Sequence, residues 1–319
     1  MSSFTRGVTN VDDLLSSTLD RYRNEVMEQW ITASPMTKKL WDARMEVDGG
    51  NDIVEHVEFA ANGTSGFGSK TASADTSITQ IFTDTRFAFA WHRGTVGIYD
   101  YEEAQNNGKE AMFNLLEKRM ANFQEAAKID LETALGASST PDANTVWSIP
   151  DIVDSSNPTL ANFGDVDRST YTWWGAYELA SGSMATQGLE DLRTAYLVSS
   201  RDLTDPVDIL IATQTLYLAY NGRLVSQEHL VSGDKGDLEF PHLAFMGKPM
   251  FPASKLASGL IIGYNTKYMK LIINKNLKLK NQPFVRTPGG QSRSSIIQTQ
   301  LQLINYRPAS NFKLTGMTA

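Results

Sequence analysis

Residues 107–135 read NGKEAMFNLLEKRMANFQEAAKIDLETAL, and this stretch decides the fold of the chain. Its apolar side chains recur at steps of three and four residues, so they share one face of a helix. Those side chains are Met112, Leu115, Leu116, Met120, Phe123, Ala127, Leu131, Ala134 and Leu135. Asn107 is a candidate N-cap, Glu110 follows as in a capping box, and Gly136 is a natural stop. The sequence predicts a helix of about 43 Å, on which we expect sheets to pack.

The first 46 residues form a predicted N-terminal arm. A helix capped by Asn10 or Asp12 is expected to run as far as the break at Ser34-Pro35, and a second short helix is expected at 36–45. An arm of this length cannot form a core of its own, so we expect it to pack on another part of the assembly.

Residues 47–101 form a predicted extended hairpin. Residues 53–59 (IVEHVEF) are strand-like, residues 60–77 form a tip rich in Gly, Ser and Thr, and a second strand returns from residue 81. An isolated hairpin is marginal in water, so we expect this one to pack on a neighbour, such as another subunit. Alternation along the return strand predicts one shared face for Ile81, Thr83, Thr85, Phe87, Phe89 and Trp91.

Strands and helices alternate irregularly after the long helix. Residues 137–162 are polar and rich in turns, and the acidic run at 142–167 (with Asp151, Asp154 and Asp165) predicts a solvated loop. We predict helices at 188–200 and 215–224 and strands at 208–213, 243–251, 259–264, 268–279 and 295–306. This pattern indicates an α+β fold rather than a doubly wound α/β fold.

Composition excludes several classes of site. The 319-residue chain has no cysteine, so it has no disulfide, no thiolate metal site and no cysteine nucleophile. No apolar run approaches the about 20 residues that cross a bilayer, and the first residues lack the layout of a signal peptide. We therefore expect a protein that is made and folded in the cytoplasm and has no membrane partner.

The charge is divided unevenly along the chain. Residues 241–319 contain eight Lys, three Arg and no acidic residue, a charge of +11, whereas the first 240 residues carry −18 from 18 basic and 36 acidic residues. Such asymmetry is typical of chains with a nucleic-acid or acidic partner, and also of head-to-tail self-association. The third interpretation is that both signs interleave once the chain folds.

One loop resembles a phosphate-binding loop without meeting its requirements. Residues 63–71 read GTSGFGSKT, but a P-loop needs Lys directly after its second Gly, and here Ser69 separates Gly68 from Lys70. The residues that follow are also a poor start for the helix that such a loop requires. A flexible tip is the favoured interpretation of this loop.

No other motif indicates catalysis or metal binding. His56, His92, His229 and His242 lack metal-ligand spacing, although His56 and His92 lie on opposite arms of the hairpin and we expect a structural pairing there. We expect Trp173 and Trp174 to pack in the core rather than to stack on a base or sugar. A solvated strand face is favoured over phosphate binding for Lys267, Lys270, Lys275, Lys278 and Lys280. The sequence thus predicts no catalytic, cofactor-binding or metal-binding residue, and no enzyme.

Two segments and the order of elements resemble one family. DRSTYTWW at residues 167–174 resembles the R-S-T-x-x-W-W stretch of a branch of phage head proteins. Residues 243–271 are similar to a second region of those proteins through Phe245, Gly247, Pro249, Gly263 and Asn265. The order of elements resembles that of the major capsid proteins of tailed bacteriophages, which have the Hong Kong 97-type fold. That order is an arm, a long hairpin, one spine helix, an α+β region and a terminal strand. The resemblance covers essentially the whole chain.

The resemblance implies a structural role. Such proteins form pentamers and hexamers of an icosahedral shell that encloses double-stranded DNA, in a virion assembled in the host cytoplasm. The implied parts are an N-terminal arm (1–46), an E-loop hairpin (47–101), a P-domain (102–185) with spine helix 107–135, an A-domain (186–285) and a return strand to the P-domain (286–319).

The implied partners are other copies of the chain, a portal, decoration proteins and packaged DNA contacted non-specifically. Some relatives carry a scaffolding segment that a protease removes, but only about 46 residues precede this hairpin, so we expect a separate scaffolding protein or none. Lys70 is the only lysine of the hairpin and no acid or Asn partner is evident, so we expect no crosslink between subunits.

Two alternatives remain open at this stage. An encapsulin-type nanocompartment uses the same fold and would carry enzyme cargo instead of DNA. A nucleotide-binding enzyme that uses residues 63–71 would be stabilised thermally by its nucleotide, because a ligand that binds only the folded state raises the melting temperature.

Overall fold

Two mixed sheets and one long helix form the body of the molecule in a computed structural model. The structure describes residues 35–71, 73, 76–105, 109–137, 145–155, 162–201, 203–226, 243–286 and 290–319. The predicted helix between Asn10 and Ser34 lies outside the described residues. No helix among the described residues is both long enough and apolar enough to span a membrane.

The elements follow in an order that mixes short strands with helices. The helices are α1 (Pro35–Asp42), α2 (Asp100–Gln105), α3 (Lys109–Gly136), α4 (Ile149–Ile152), α5 (Leu189–Ser199) and α6 (Gln214–Ser226). The strands are β1 (Met45–Val47), β2 (Asp52–Glu58), β3 (Phe82–Ala88), β4 (Ala90–Tyr99), β5 (Asn162–Phe163), β6 (Val166–Asp167), β7 (Tyr177–Ala180), β8 (Ile209–Ala212), β9 (Leu243–Phe245), β10 (Lys248–Pro252), β11 (Ile261–Tyr264), β12 (Met269–Asn274), β13 (Lys280–Asn281), β14 (Val285–Arg286), β15 (Ser292–Asn305) and β16 (Phe312–Thr315).

The long helix α3 confirms the prediction from periodicity. It ends at Gly136, and its candidate cap Asn107 lies outside the described residues. Met120, Ala127 and Leu135 are buried, as expected for the inner face of an amphipathic helix. The helix packs on β4 at Gly94, where an added Cβ would lie 2.0 Å from the Phe123 ring.

The first sheet is built around the long strand β15. Its order is β1-β12-β15-β13, and β4 and β14 also pair with β15. All of these pairings are antiparallel except that of β1 with β12. The register of β15 with β4 runs from Ser292 opposite Tyr99 to Leu301 opposite Ala90. The chain segment that leads out of the hairpin is therefore fixed to the C-terminal part of the sequence.

The second sheet separates two apolar clusters. Its order is β7-β16-β11-β8-β10-β9. Along β8, Ile209 and Ile211 belong to the cluster shared with α3 and the first sheet, whereas Leu210 and Ala212 belong to the cluster formed with α5 and α6. Both faces of this sheet are covered, so β8 is apolar at every position, and the α+β architecture expected from the sequence is confirmed.

Three strand predictions were wrong in detail. The predicted strand 243–251 is a hairpin, because Met246 and Gly247 adopt positive φ (48° and 75°) and turn the chain between β9 and β10. The predicted strand 268–279 ends at Asn274, and a 3-10 turn follows. Trp91 is exposed rather than on the face of Phe87, because β3 pairs within the hairpin whereas β4 pairs with β15, and the alternation changes phase between them.

Candidate assembly surfaces

The hairpin arm, residues 52–88, contains a two-stranded ribbon that packs against the body with one face. β2 and β3 pair from Asp52 opposite Ala88 to Glu58 opposite Phe82. Ile53, Val57 and Phe87 are buried on one side of the ribbon. No described element packs on the other side, so within the described part of the chain the ribbon is covered on one face only.

The arm leaves large apolar side chains in water. Phe67 and Ile78 in the tip are fully exposed, and Val54 and Phe82 on the strands are 44% and 56% exposed. No segment in the described part of the chain covers them. Exposed apolar groups on a projecting element mark a surface that becomes buried in a complex.

Aromatic contacts hold the arm against the body. The Phe59 ring stacks on Trp173 with centroids 5.4 Å apart, and the Phe87 ring meets Phe163 edge-on at 4.9 Å. Gly164 has φ of 63°, and a Cβ added there would lie 2.6 Å from the Phe87 ring, so only glycine fits. Clefts of about 270 and 310 Å³ lie on either side of the Phe59–Trp173 stack.

The DRSTYTWW segment forms the platform for these contacts. Asp167 accepts hydrogen bonds from the Ser169 hydroxyl and amide and from the Thr170 hydroxyl, and these bonds lower its pKa. The indole N–H of Trp174, which is buried, donates to the carbonyl of Phe163 at 2.7 Å. The expected core packing of Trp174 is confirmed, while Trp173 is partly buried against the arm.

A group of buried charges lies behind this platform. Arg168 is fully buried and donates to the carbonyls of Asp151 (2.8 Å) and Ile152 (2.9 Å). Burial lowers its pKa to about 10, against the opposing effect of the carboxylates of Asp154 and Asp151. The Lys313 ammonium lies 2.7 Å from Asp154 Oδ2.

The predicted solvated loop is therefore wrong at two of its acids. Asp151 is 1% exposed and Asp154 is 6% exposed, whereas Asp165 is exposed as expected. The acids are buried because Arg168 and Lys313 supply the cations that make burial of a carboxylate tolerable. In the sequence, Arg168 of DRSTYTWW was a possible partner for these acids, but its spacing along the chain did not connect it with Asp151 or Asp154.

The first sheet has an open face on the side opposite α3. Trp91, Tyr99, Val285 and Ile296 are 39% to 62% exposed there. The Arg93 guanidinium lies 5.0 Å from the centre of the Trp91 ring. Trp, Tyr and Arg are the residues enriched at the energetic centres of protein interfaces, so this face is a second candidate assembly surface.

Many charges of the basic C-terminal part are neutralised within the chain. Basic residues after 240 pair with acids from the first 240 residues in the pairs Lys278–Glu46, Lys275–Asp48, Arg286–Asp100, Lys313–Asp154, Arg307–Asp205 and Lys248–Asp208. The hydrogen bond from Lys278 lowers the pKa of Glu46. These pairs favour the interpretation that the two signs interleave on folding.

The remaining candidate residues that the structure describes are not brought together in one site. Residues 63–71 form an exposed turn, residues 76–81 have no regular structure, and the next element is the strand β3, so the described part of this loop lacks a P-loop helix. His56 Nδ1 lies 2.5 Å from Asp84 Oδ1, and His92 Nε2 lies 3.3 Å from Asp130 Oδ2.

The expected pairing of His56 with His92 is therefore wrong, because the hairpin register places Asp84 opposite His56. His229 and His242 lie outside the described residues. Among the described residues, no cluster of His, Asp and Glu could hold a metal ion.

Comparison with solved structures identifies the architecture. The chain matches the capsid asymmetric unit of cyanophage A-1(L) with a TM-score of 0.66 and 12% identity, over 90% of this chain and 93% of that chain. It matches the capsid of a native GTA particle with a TM-score of 0.57 and 12% identity, over 88% and 90% of the two chains. The chain has the Hong Kong 97-type capsid fold.

The capsid fold is also shared with cellular shells. The holo-SrpI encapsulin complex from Synechococcus elongatus matches with a TM-score of 0.54 and 11% identity, over 86% of this chain and 84% of that chain. No family model and no curated protein matches the sequence. These structural neighbours are shell components.

Proposed function

We propose that this protein is the major capsid protein of a tailed bacteriophage, which assembles as pentamers and hexamers into an icosahedral shell around double-stranded DNA. The observation that carries the proposal is an arm with exposed Phe67 and Ile78 on a body that has the capsid fold over nearly its whole length. A neighbouring subunit supplies the missing cover for the arm.

The parts of the subunit are assigned on the same basis. The N-terminal arm is 1–46, the E-loop hairpin 47–101, the P-domain 102–185, the A-domain 186–285 and the return strand 286–319. Pairing of β4 with β15 supports a narrower projecting part, residues 52–88, because Ala90–Tyr99 is held in the first sheet. The basic residues that pair within the chain support weak, non-specific contact with DNA rather than tight binding.

The proposed assembly takes place in the host cytoplasm with a separate scaffolding protein and a portal, and decoration proteins bind the finished shell. Negative-stain electron microscopy of the purified chain at low and high salt tests the central claim. We expect closed shells or capsomer rings, and assembly that survives high salt because apolar contacts of the arm are not screened. Monomers at all salt and protein concentrations, with and without scaffold, would contradict the proposal.

An encapsulin-type shell is the second candidate, favoured by the match to the SrpI encapsulin. The content of shells purified from the native source separates the two functions. Nuclease-protected double-stranded DNA supports the phage capsid, whereas one co-purified enzyme and no DNA supports the encapsulin.

A further inference from the structure

Lys313 occupies an unusual position on β16, the strand next to the edge strand β7 of the second sheet. Its neighbours Phe312 and Leu314 on β16 are fully buried in the cluster formed with α5 and α6. Lys313 points to the opposite face, toward the segment that contains α4, and is itself only 7% exposed. Strand β7 places Glu178 directly opposite Lys313. A lysine amine is thus enclosed by protein on one face of the sheet.

Two carboxyl groups converge on that amine. Lys313 Nζ lies 2.7 Å from Asp154 Oδ2 and 3.5 Å from Glu178 Oε1. The Lys313 and Asp154 side chains are each 8% exposed, whereas that of Glu178 is 26% exposed. The Ser155 hydroxyl donates to Glu178 Oε2 at 2.9 Å and so holds this carboxyl group in place. The amine nucleophile, the Asp154 carboxyl group that it would attack and the Glu178 carboxyl group therefore lie close together.

The Asp154 carboxylate interacts with two cations, the Lys313 ammonium and the buried Arg168 guanidinium. An amine attacks a carboxyl group in its acid form, so the reaction requires a proton transfer from the Lys313 ammonium to Asp154.

We propose that Lys313 and Asp154 condense to an intrachain isopeptide bond. One proton passes from the Lys313 ammonium to the Asp154 carboxylate, which gives a neutral amine and a carboxylic acid. The amine nitrogen attacks Cγ of Asp154, and its second proton passes to the Glu178 carboxylate. Glu178 returns that proton to the departing hydroxyl, the C–O bond breaks and one water leaves. The N–C bond has formed, Glu178 is regenerated, and no oxidant or cofactor is consumed.

The bond would fasten the last strand to the interior of the subunit. It joins residue 154 to residue 313 and closes a long covalent loop, which restricts the unfolded chain as a disulfide does. The chain has no cysteine with which to make a disulfide. The proposal does not depend on the shell function and makes no link between subunits.

The intact mass of the full chain, measured after denaturation, tests the proposal. We expect a mass one water lower than the sequence requires, and a branched tryptic peptide in which Lys313 carries the Asp154 peptide. A full-sequence mass in protein that is folded and assembled would overturn the proposal.

Variants distinguish a covalent bond between Lys313 and Asp154 from an ion pair. Glu178→Gln removes the proton carrier, so we expect the full mass, while the exposed control Glu190→Gln keeps the mass deficit. Asp154→Asn offers an amide leaving group, so the deficit should become that of ammonia. An unchanged water deficit in Lys313→Arg would place the lost water elsewhere and refute the assignment.

Discussion

The body and the hairpin arm treat apolar side chains in opposite ways. Leu210 and Ile211 in the second sheet and Leu303 and Ile304 in the first sheet are completely buried. The arm, in contrast, holds Phe67 and other large apolar side chains in water. One chain therefore contains a region that completes its own core and a region that does not.

The difference shows where each region obtains its stability. Burial contributes about 25 cal/mol per Å² of apolar surface, so the covered clusters can stabilise the body within a single chain. A two-stranded ribbon is marginal alone, and this one packs against the body with one face. We infer that the body folds before assembly and that the arm reaches its final environment in the shell.

The largest expected effect is in the body. Arg168→Met removes the donor to two buried carbonyls and one of the cations that interact with Asp151 and Asp154, so we expect a loss of about 3–5 kcal/mol in the free energy of unfolding. Urea denaturation of the unassembled subunit measures it. The control Arg86→Met, at an exposed position of the arm, should change stability by less than about 0.5 kcal/mol. Equal losses in the two variants would remove the distinction between the regions.

The second-largest expected effect concerns the arm, and it changes assembly rather than the stability of the isolated subunit. The double variant Phe67→Ser, Ile78→Ser should leave the unfolding of the isolated subunit unchanged within about 0.5 kcal/mol. Burying each side chain in a neighbour contributes about 1.5–3 kcal/mol, so the subunit concentration needed for assembly should rise by at least tenfold.

Light scattering across a concentration series measures that threshold. Ile129→Ser, which is half-exposed on α3, serves as the matched control and should assemble like the parent chain. A threshold that does not move in the double variant would show that the tip stays in water in the shell.

The sequence predicted the elements whose signals are local. Helix α3 and strand β15 are long and periodic, and the resemblance through DRSTYTWW identified the fold. The turn at Met246-Gly247 was missed because an apolar, strand-like run hides a two-residue turn unless the positive φ values are known.

The buried charges could not be predicted, because their partners are remote in sequence. Asp154 meets Lys313 across 159 positions, and a polar, acidic segment normally lies in solvent. The exposure of Phe67 could not be predicted either, because a sequence does not show which apolar side chains stay exposed when the chain folds. Both the interior cluster and the assembly surface are properties of tertiary structure.

A smaller loss of stability is expected from a change in β4, the strand that continues from the arm and pairs within the first sheet. Gly94→Ala places a methyl group 2.0 Å from the Phe123 ring, so β4 and α3 must separate, at a cost of about 1–3 kcal/mol. Adding Phe123→Leu should recover part of the loss, as a double-mutant cycle would show. Gly222→Ala in α6 meets open space and is the control, expected to stabilise by up to about 1 kcal/mol. If the double variant recovered none of the lost stability, the strain would not lie between residue 94 and the Phe123 ring.

The smallest effect concerns the contact between the two regions. Tyr306 of the body lies 3.5 Å from Glu55 of the arm, and burial together with that carboxylate raises the pKa of Tyr306 to about 12. A raised pKa stabilises the fold below the ordinary value of 10, and this stability is lost as the pH rises from 10 to 12.

Because the ring is partly exposed, we expect Tyr306 to account for only about 1 kcal/mol of the fall. Tyr306→Phe should therefore flatten the alkaline loss of unfolding free energy by that amount, and the exposed control Tyr171→Phe should not. Identical curves for the parent and Tyr306→Phe would show that this contact does not join the arm to the body.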